Sequence, residues 1–330
     1  MEVRTLDYHT AGEPLRIVTS GLPGITGETM LDKRRFMKEE LDHFRRFLML
    51  EPRGHADMYG AVLTGPVTPD GDIGVLFLHN EGYSTMCGHG IIALVTAGLE
   101  HGLFEAAAAP LVRIDTPAGR ITATAHYDSR GRIDSVSFLN VPSFVLHEQH
   151  RVDVDGTPVD CTIAFGGAFY AYVDAEPLGL EVAPGEASRM IHLGRKIKEC
   201  VNREEIIRHP TGEPDMNFLY GTIFVRQGVE PGHSRNACVF ADGELDRSPT
   251  GTGVSGRAAI EVHKGRLKSG EILKIDSFIG TRFEVRYRET VEVAGIQAII
   301  PEVRGSAHIC GEHRFVLDER DPLGDGFLVR

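Results

Sequence analysis

The feature that most constrains this chain is that it is written twice. Ile114-Asp115-x-x-x-Gly119 recurs 161 residues later as Ile275-Asp276-x-x-x-Gly280, and Tyr59-Gly60 recurs at the same offset as Tyr220-Gly221. Between these anchors Cys87-Gly88-His89-Gly90 answers to Thr250-Gly251-Thr252-Gly253 at an offset of 163, with Phe77 matching Phe240 and Gly102 matching Gly265. A two-residue gap reconciles the offsets. A period near half of a 330-residue chain implies two related halves, and the length suits two domains of about 150 residues each.

Each half carries one longer amphipathic segment, marked by Met37, Leu41, Phe44 and Leu48 in the first and by Met190, Ile197 and Val201 in the second. Both read as surface helices packed on a sheet. Most of the remainder is short β-type runs, such as Ala61-Val62-Leu63, Gly74 to Leu78 and Thr222 to Val225, punctuated by Gly, Pro and Asp. The pattern predicts an α+β fold with halves at 1–145 and 146–305. The division is placed where Pro142 and a polar stretch interrupt the pattern, and a tail, 306–330, is expected to return to the first half.

Hydrophobic residues at 42% and charged residues at 25% describe a globular chain able to bury a large core. No apolar run approaches the ~20 residues that cross a bilayer, and the chain opens on a strand-like segment rather than a signal sequence, so a cytoplasmic protein is expected. Five scattered cysteines without a Cys-x-x-Cys pair fit neither a disulfide framework nor a thiolate zinc site. A net charge of −12 argues against nucleic acid or an anionic membrane as partner.

Each of the two Gly-x-Gly turns leads into an apolar segment. Ile91 to Leu99 is apolar on every face and predicts a buried central helix, and its counterpart continues through Ala258-Ala259-Ile260. A helix start exposes unpaired N–H groups and the positive end of the helix dipole, which together bind carboxylates or phosphates. Two such starts, one per repeat, would converge across a cleft on one small anion. A cysteine in the first turn is stabilised as the thiolate, so Cys87 is a candidate base; the plainer reading makes it a small buried filler. Gly251-x-Gly253-x-x-Gly256 with Asp276 beyond it imitates a dinucleotide fingerprint, but it sits late in the chain and Asp276 has a repeat partner in Asp115. His147-Glu148-Gln149-His150 lacks metal-site spacing and reads as a solvated loop.

Four segments together resemble the proline racemase family, within the group that has a diaminopimelate epimerase-like fold. They are Asp7-x-His9-Thr10-x-Gly12-Glu13-Pro14-x-Arg16, Met86 to Gly90, Phe165-Gly166-Gly167-Ala168-Phe169-Tyr170, and Asp246-Arg247-Ser248-Pro249-Thr250-Gly251-Thr252-Gly253. The resemblance implies two pseudo-symmetric domains, each a mixed sheet curled around a central helix, with the substrate carboxylate held at the two helix starts. It implies that Cys87 is a catalytic cysteine, that Gly88, His89, Gly251 and Thr252 surround the carboxylate, and that Asp246 with His89 receives the ring amine. Without the resemblance, Asp246 reads equally well as a turn or helix-capping residue.

The chain departs from the racemase pattern at Thr250, where racemases and epimerases of the family carry a second cysteine. Racemisation needs a base on one face of the α-carbon and an acid on the other, and a threonine hydroxyl is too weak an acid to share that work with a thiol. The departure resembles the trans-3-hydroxy-L-proline dehydratase branch. In the trans isomer the α-hydrogen and the 3-hydroxyl share a ring face, so elimination can be one-sided. The expected partner is a small imino acid, with no metal or cofactor and with a homodimer left open. The alternatives are a proline or 4-hydroxyproline racemase or epimerase, and an imino-acid-binding protein without catalysis.

Overall fold

The computed structural model describes residues 1–204, 206–212, 214–228 and 232–329. They form two compact units, the first made of Met1–Phe138 with Gly305–Arg330 and the second of Leu139–Arg304. The last residue of the expected tail, Arg330, lies outside the described residues.

The first unit runs β1 (Glu2–Thr10), β2 (Glu13–Ser20), α1 (Met30–Glu40), α2 (Asp42–Met49), β3 (Tyr59–Thr64), β4 (Ile73–His79), β5 (Tyr83–Ser84), α3 (Gly88–His101), β6 (Leu111–Thr116), β7 (Gly119–Tyr127) and β8 (Ile133–Leu139). The second continues β9 (Ser143–Val154), β10 (Thr157–Phe165), β11 (Phe169–Asp174), α4 (Ala187–Arg203), β12 (Leu219–Gln227), β13 (His233–Phe240), β14 (Glu244–Asp246), α5 (Gly251–His263), β15 (Leu273–Ser277), β16 (Arg282–Val293) and β17 (Ile296–Gly305). The chain then returns to the first unit as β18 (Ala307–Val316), antiparallel to β1.

The repeat is visible in the pairing. In the first unit the strand order is β18-β1-β2-β3-β4-β6-β7, with the β2–β3 and β4–β6 pairs parallel and the rest antiparallel. In the second, β10-β11-β12-β13-β15-β16 repeats the run from β1 to β7, including the two parallel pairs. The register repeats too: Ile73 and Gly74 face Ile114 and Asp115, and Ser234 and Arg235 face Ile275 and Asp276. In the second unit β17 also pairs with β16 on one side and β9 on the other, so the strands close into a ring.

Each mixed sheet holds a helix. Every residue of α3 from Gly88 to Gly98 is buried. Ile91, Ile92, Leu94 and Val95 are fully so, each contributing about 1.5–3 kcal/mol. The repeated glycines end the helices alike, Gly102 and Gly265 lying at φ 63° and 69°, where a side chain would be strained.

The amphipathic segment of the first unit is two helices rather than one. Thr29 and Asp32 form a capping box that starts α1. The helix stops at Leu41, whose backbone leaves helical geometry at φ −123° and ψ 12°. Asp42 then opens α2, held by both Arg45 and the Tyr83 hydroxyl. Both helices pack through Met37, Leu41, Phe44 and Leu48 on Val62, Leu76 and Leu78 of the sheet. In the second unit α4 presents Met190, Gly194, Ile197 and Val201. A Cβ at Gly194 would lie 2.6 Å from Val239 Cβ, so glycine sets how closely this helix approaches β13.

The stretch around 140–150, read from sequence as an interruption and at 147–150 as a solvated loop, is instead the start of β9. His147 faces Ile163 and His150 faces Cys161 on β10, and His150 Nε2 lies 2.9 Å from a Glu204 carboxylate oxygen. Its polar residues mask a strand whose inward positions include Phe144, Val152 and Val154. No helix of the described residues is long and apolar enough to cross a membrane.

Candidate active site

In the first unit the chemistry gathers at the start of α3. Cys87 is the N-cap in extended geometry, and its Sγ accepts the Gly90 N–H over 3.2 Å. The same sulfur lies 3.2 Å from His89 Nδ1 and 3.6 Å from Nε2, with both side chains buried. The positive helix end and the N–H donor at this sulfur favour the thiolate, against the burial that favours the thiol. Glycine is required at 90, because a Cβ would lie 2.5 Å from the Phe77 ring and 2.9 Å from the sulfur.

His89 is held on two sides. The Tyr59 ring meets it edge-on at 4.9 Å, and the Thr10 hydroxyl donates to its carbonyl over 2.9 Å. The Asp7 to Arg16 motif supports this arrangement from the β1–β2 hairpin. Asp7 takes Arg16 through Nε and Nη2, and Arg16 donates onward to the Leu48 and Arg53 carbonyls at 2.7 Å each.

In the second unit the start of α5 is built differently. Thr250 occupies the position matching Cys87 but has φ 69° and ψ 101°, a left-handed backbone that is strained for a β-branched residue. Its hydroxyl makes no cap and instead donates to Asp246 Oδ2 over 2.7 Å. The other carboxylate oxygen accepts the Ser248 N–H over 2.8 Å, and Ser248 Oγ accepts the Thr250 N–H over 3.1 Å. Asp246, 3% exposed, is therefore both the turn residue that local chemistry allows and a buried carboxylate with a fixed orientation.

The Thr252 hydroxyl pairs with Tyr170 over 2.7 Å, and the Tyr172 hydroxyl donates to the Gly253 carbonyl over 2.7 Å. The Phe165-Gly166-Gly167 motif serves this helix, since a Cβ at Gly166 would lie 2.1 Å from the Thr252 carbonyl. The structure thus groups Cys87, Gly88 and His89 in one unit, and Asp246, Thr250, Gly251 and Thr252 in the other. Sequence reasoning gave no role to Ser248, Tyr170 or Thr10. Each stands within a quoted motif, which was the available signal.

Comparison with known proteins places these features. The proline racemase family model matches residues 5–328. A trans-3-hydroxy-L-proline dehydratase of Colwellia psychrerythraea is 47% identical, over 100% of this chain and 93% of its own length. A 3-hydroxyproline 2-epimerase of Burkholderia multivorans is 48% identical, over 99% of this chain and 98% of its own. The crystal structure of a hydroxyproline epimerase from Agrobacterium vitis, with bound trans-4-hydroxy-L-proline, superposes with a TM-score of 0.90 at 31% identity, covering 99% of this chain and 96% of that one. With that breadth of match and the paired helix starts of its repeated α+β fold, the chain belongs to the proline racemase family.

Proposed function

We propose that this chain is a trans-3-hydroxy-L-proline dehydratase in which Cys87 is the base. The observation that carries the reading is the inequality of the two helix starts: a thiol against an imidazole on α3, and on α5 a hydroxyl whose hydrogen is already given to Asp246.

As the family resemblance implies, Gly88, His89, Gly251 and Thr252 are the candidate carboxylate-binding residues, and Asp246 and His89 the candidate partners of the ring ammonium. The Cys87 thiolate removes the α-proton, and the helix ends stabilise the charge developing on the carboxylate. The electron pair forms the C2–C3 double bond as the C3–O bond breaks. The new thiol protonates the departing hydroxide, so water leaves and the thiolate is restored. The enamine tautomerises to Δ1-pyrroline-2-carboxylate. Thr250 acts through Asp246 rather than on the α-carbon.

The name of the Burkholderia multivorans relative favours a second reading, epimerisation at the α-carbon. That reaction needs a proton donor on the opposite ring face, and Thr250 with its hydrogen engaged by a carboxylate is a poor one.

Incubation of the purified protein with trans-3-hydroxy-L-proline, following Δ1-pyrroline-2-carboxylate with o-aminobenzaldehyde, separates the two. Product from the wild type and none from Cys87→Ser supports the dehydratase. Inverted imino acid carrying solvent deuterium, without the pyrroline, overturns it. The proposal includes a cofactor-independent cytoplasmic enzyme; chelation and dialysis before assay test the first property, and light scattering distinguishes a homodimer from a monomer.

A further inference from the structure

Helix α5 carries Arg257 and, one turn on, Glu261, both buried. At the 163-residue offset the matching positions on α3 are Leu94 and Gly98, so the repeated frame does not itself call for charge there. The first unit fills this region with apolar groups: Leu94 is fully buried, and the Phe104 ring occupies the space where a Cβ on Gly98 would project.

The second unit leaves space instead. A cavity of about 1100 Å³ lies against the C-terminal half of α5, and Arg257, Ile260, Glu261, Lys264, Arg266 and Tyr172 are among the residues lining it. Cys87, His89, Asp246 and Thr250 do not line it, and Tyr172, which donates to the Gly253 carbonyl, does.

The charges do not balance around Glu261. Arg266 takes both carboxylate oxygens, through Nε at 2.6 Å and Nη2 at 2.8 Å. Arg257 Nε stands 3.0 Å from the same carboxylate, so two guanidiniums share one anion, with Lys264 beside them on the cavity wall. Of the acidic groups elsewhere on the wall, Asp160 is paired with Arg151 and Glu148 lies beside His263, while Asp174 and Glu271 accept backbone N–H groups and keep their charge.

Arg257 is 5% exposed, and its Nε, though 3.0 Å from the Glu261 carboxylate, makes no hydrogen bond among the described residues. A guanidinium offers five N–H donors in a fixed fork, and burying them without acceptors is costly. Burial, with Arg266 nearby, pulls its pKa below the ordinary arginine value despite the Glu261 carboxylate.

We propose that the second unit contains an oxyanion site at Arg257, separate from the imino-acid site, which takes inorganic phosphate or a small carboxylate through the guanidinium fork with Lys264 and Arg266 at its edge. Carboxylates and phosphates, which offer two oxygens to the planar guanidinium, are the ligands this fork matches best. Because Arg257 and Thr250 ride on one helix, occupancy of the cavity bears on the helix that carries part of the candidate active site.

The probes are phosphate, acetate and selenate, with the full chain and no imino acid present. Titration of wild type with phosphate or acetate is expected to raise its melting temperature saturably. Arg257→Gln should bind at least about tenfold more weakly, the worth of one charge-assisted bond, and the surface change Lys264→Gln should weaken binding less. Crystals soaked in selenate should give an anomalous peak within hydrogen-bond distance of Arg257. Ordered water alone at that position, or an undiminished response in Arg257→Gln, overturns the proposal. Should Arg257→Gln not fold, the wild-type selenate map decides. Dehydratase activity plays no part in these readouts, so failure here is distinct from failure of the proposed reaction.

Discussion

Replacing Thr250 by valine isolates how the second helix start works. The change keeps the branched Cβ, and so keeps the strain of φ 69°, while deleting only the hydroxyl that donates to Asp246 over 2.7 Å. Asp246 is too buried for bulk water to take the vacant place, and among the described residues only the Ser248 N–H still orients it. A hydrogen bond to an ionised acceptor is worth about 1.5–3 kcal/mol. If the carboxylate must hold its orientation in the transition state, kcat/KM should fall by about 10- to 150-fold. The o-aminobenzaldehyde assay over a range of trans-3-hydroxy-L-proline concentrations gives that ratio, and a thermal melt confirms that the variant is folded. An unchanged kcat/KM would refute the positioning role. A loss beyond about 10⁴-fold would refute it from the other side, because about 5.5 kcal/mol exceeds one hydrogen bond and would make Thr250 a proton donor in its own right.

Thr250→Cys restores a thiol at the repeat-matched position and should bring inversion of proline or 4-hydroxyproline at the α-carbon, read by chiral chromatography; no inversion would mean that more than the side chain at 250 separates dehydration from epimerisation. Gly90→Ala drives a Cβ against Phe77 and the Cys87 sulfur, and should cost about 1–3 kcal/mol of stability as well as activity, seen by calorimetry and assay; a wild-type melting temperature would contradict the contact argument. His209 packs among Phe144, Phe165 and Phe169, and burial lowers its pKa. The neutral ring is favoured in the folded state, so its contribution is present above the ordinary value of about 6.5 and is lost as pH falls through the lowered folded value. Melting temperature should therefore drop less on acidification below about pH 6.5 in His209→Phe than in wild type, and parallel curves would remove His209 from the acid response.

Much of this architecture was legible because the chain repeats its exceptional residues. Glycines at left-handed positions and the Ile-Asp pairs on β6 and β15 mark equivalent places in two frames, and the apolar run after Gly90, long for a strand, reads as a buried helix. Legibility failed where one half departs from the other without leaving a pattern. Arg257 and Glu261 look like surface charges on an ordinary helix until burial is seen. Leu41 sits on the same apolar stripe as Met37 and Phe44, so the stripe hides the break between α1 and α2. The alternation in β9 is blurred by histidines and acids that meet other polar side chains instead of facing water alone. The identities of Cys87 and Thr250 were plain in the sequence. That the threonine hydroxyl turns to Asp246 depends on a positive φ, which no residue type other than glycine announces.

The path of β18 sets an order on synthesis. The second unit is contiguous, and its ring of strands can close as soon as Gly305 has left the ribosome. The first unit cannot finish, because the outer edge of β1 waits for a strand encoded after the entire second unit. Through that interval the nascent chain carries an unpaired edge along Glu2–Thr10, the kind of edge that recruits other strands. Translation arrest or truncation shortly before Ala307 would therefore release a chain with one finished half and one adhesive half, and the cell's burden would fall on whatever shields the amino-terminal strand until the last strand arrives.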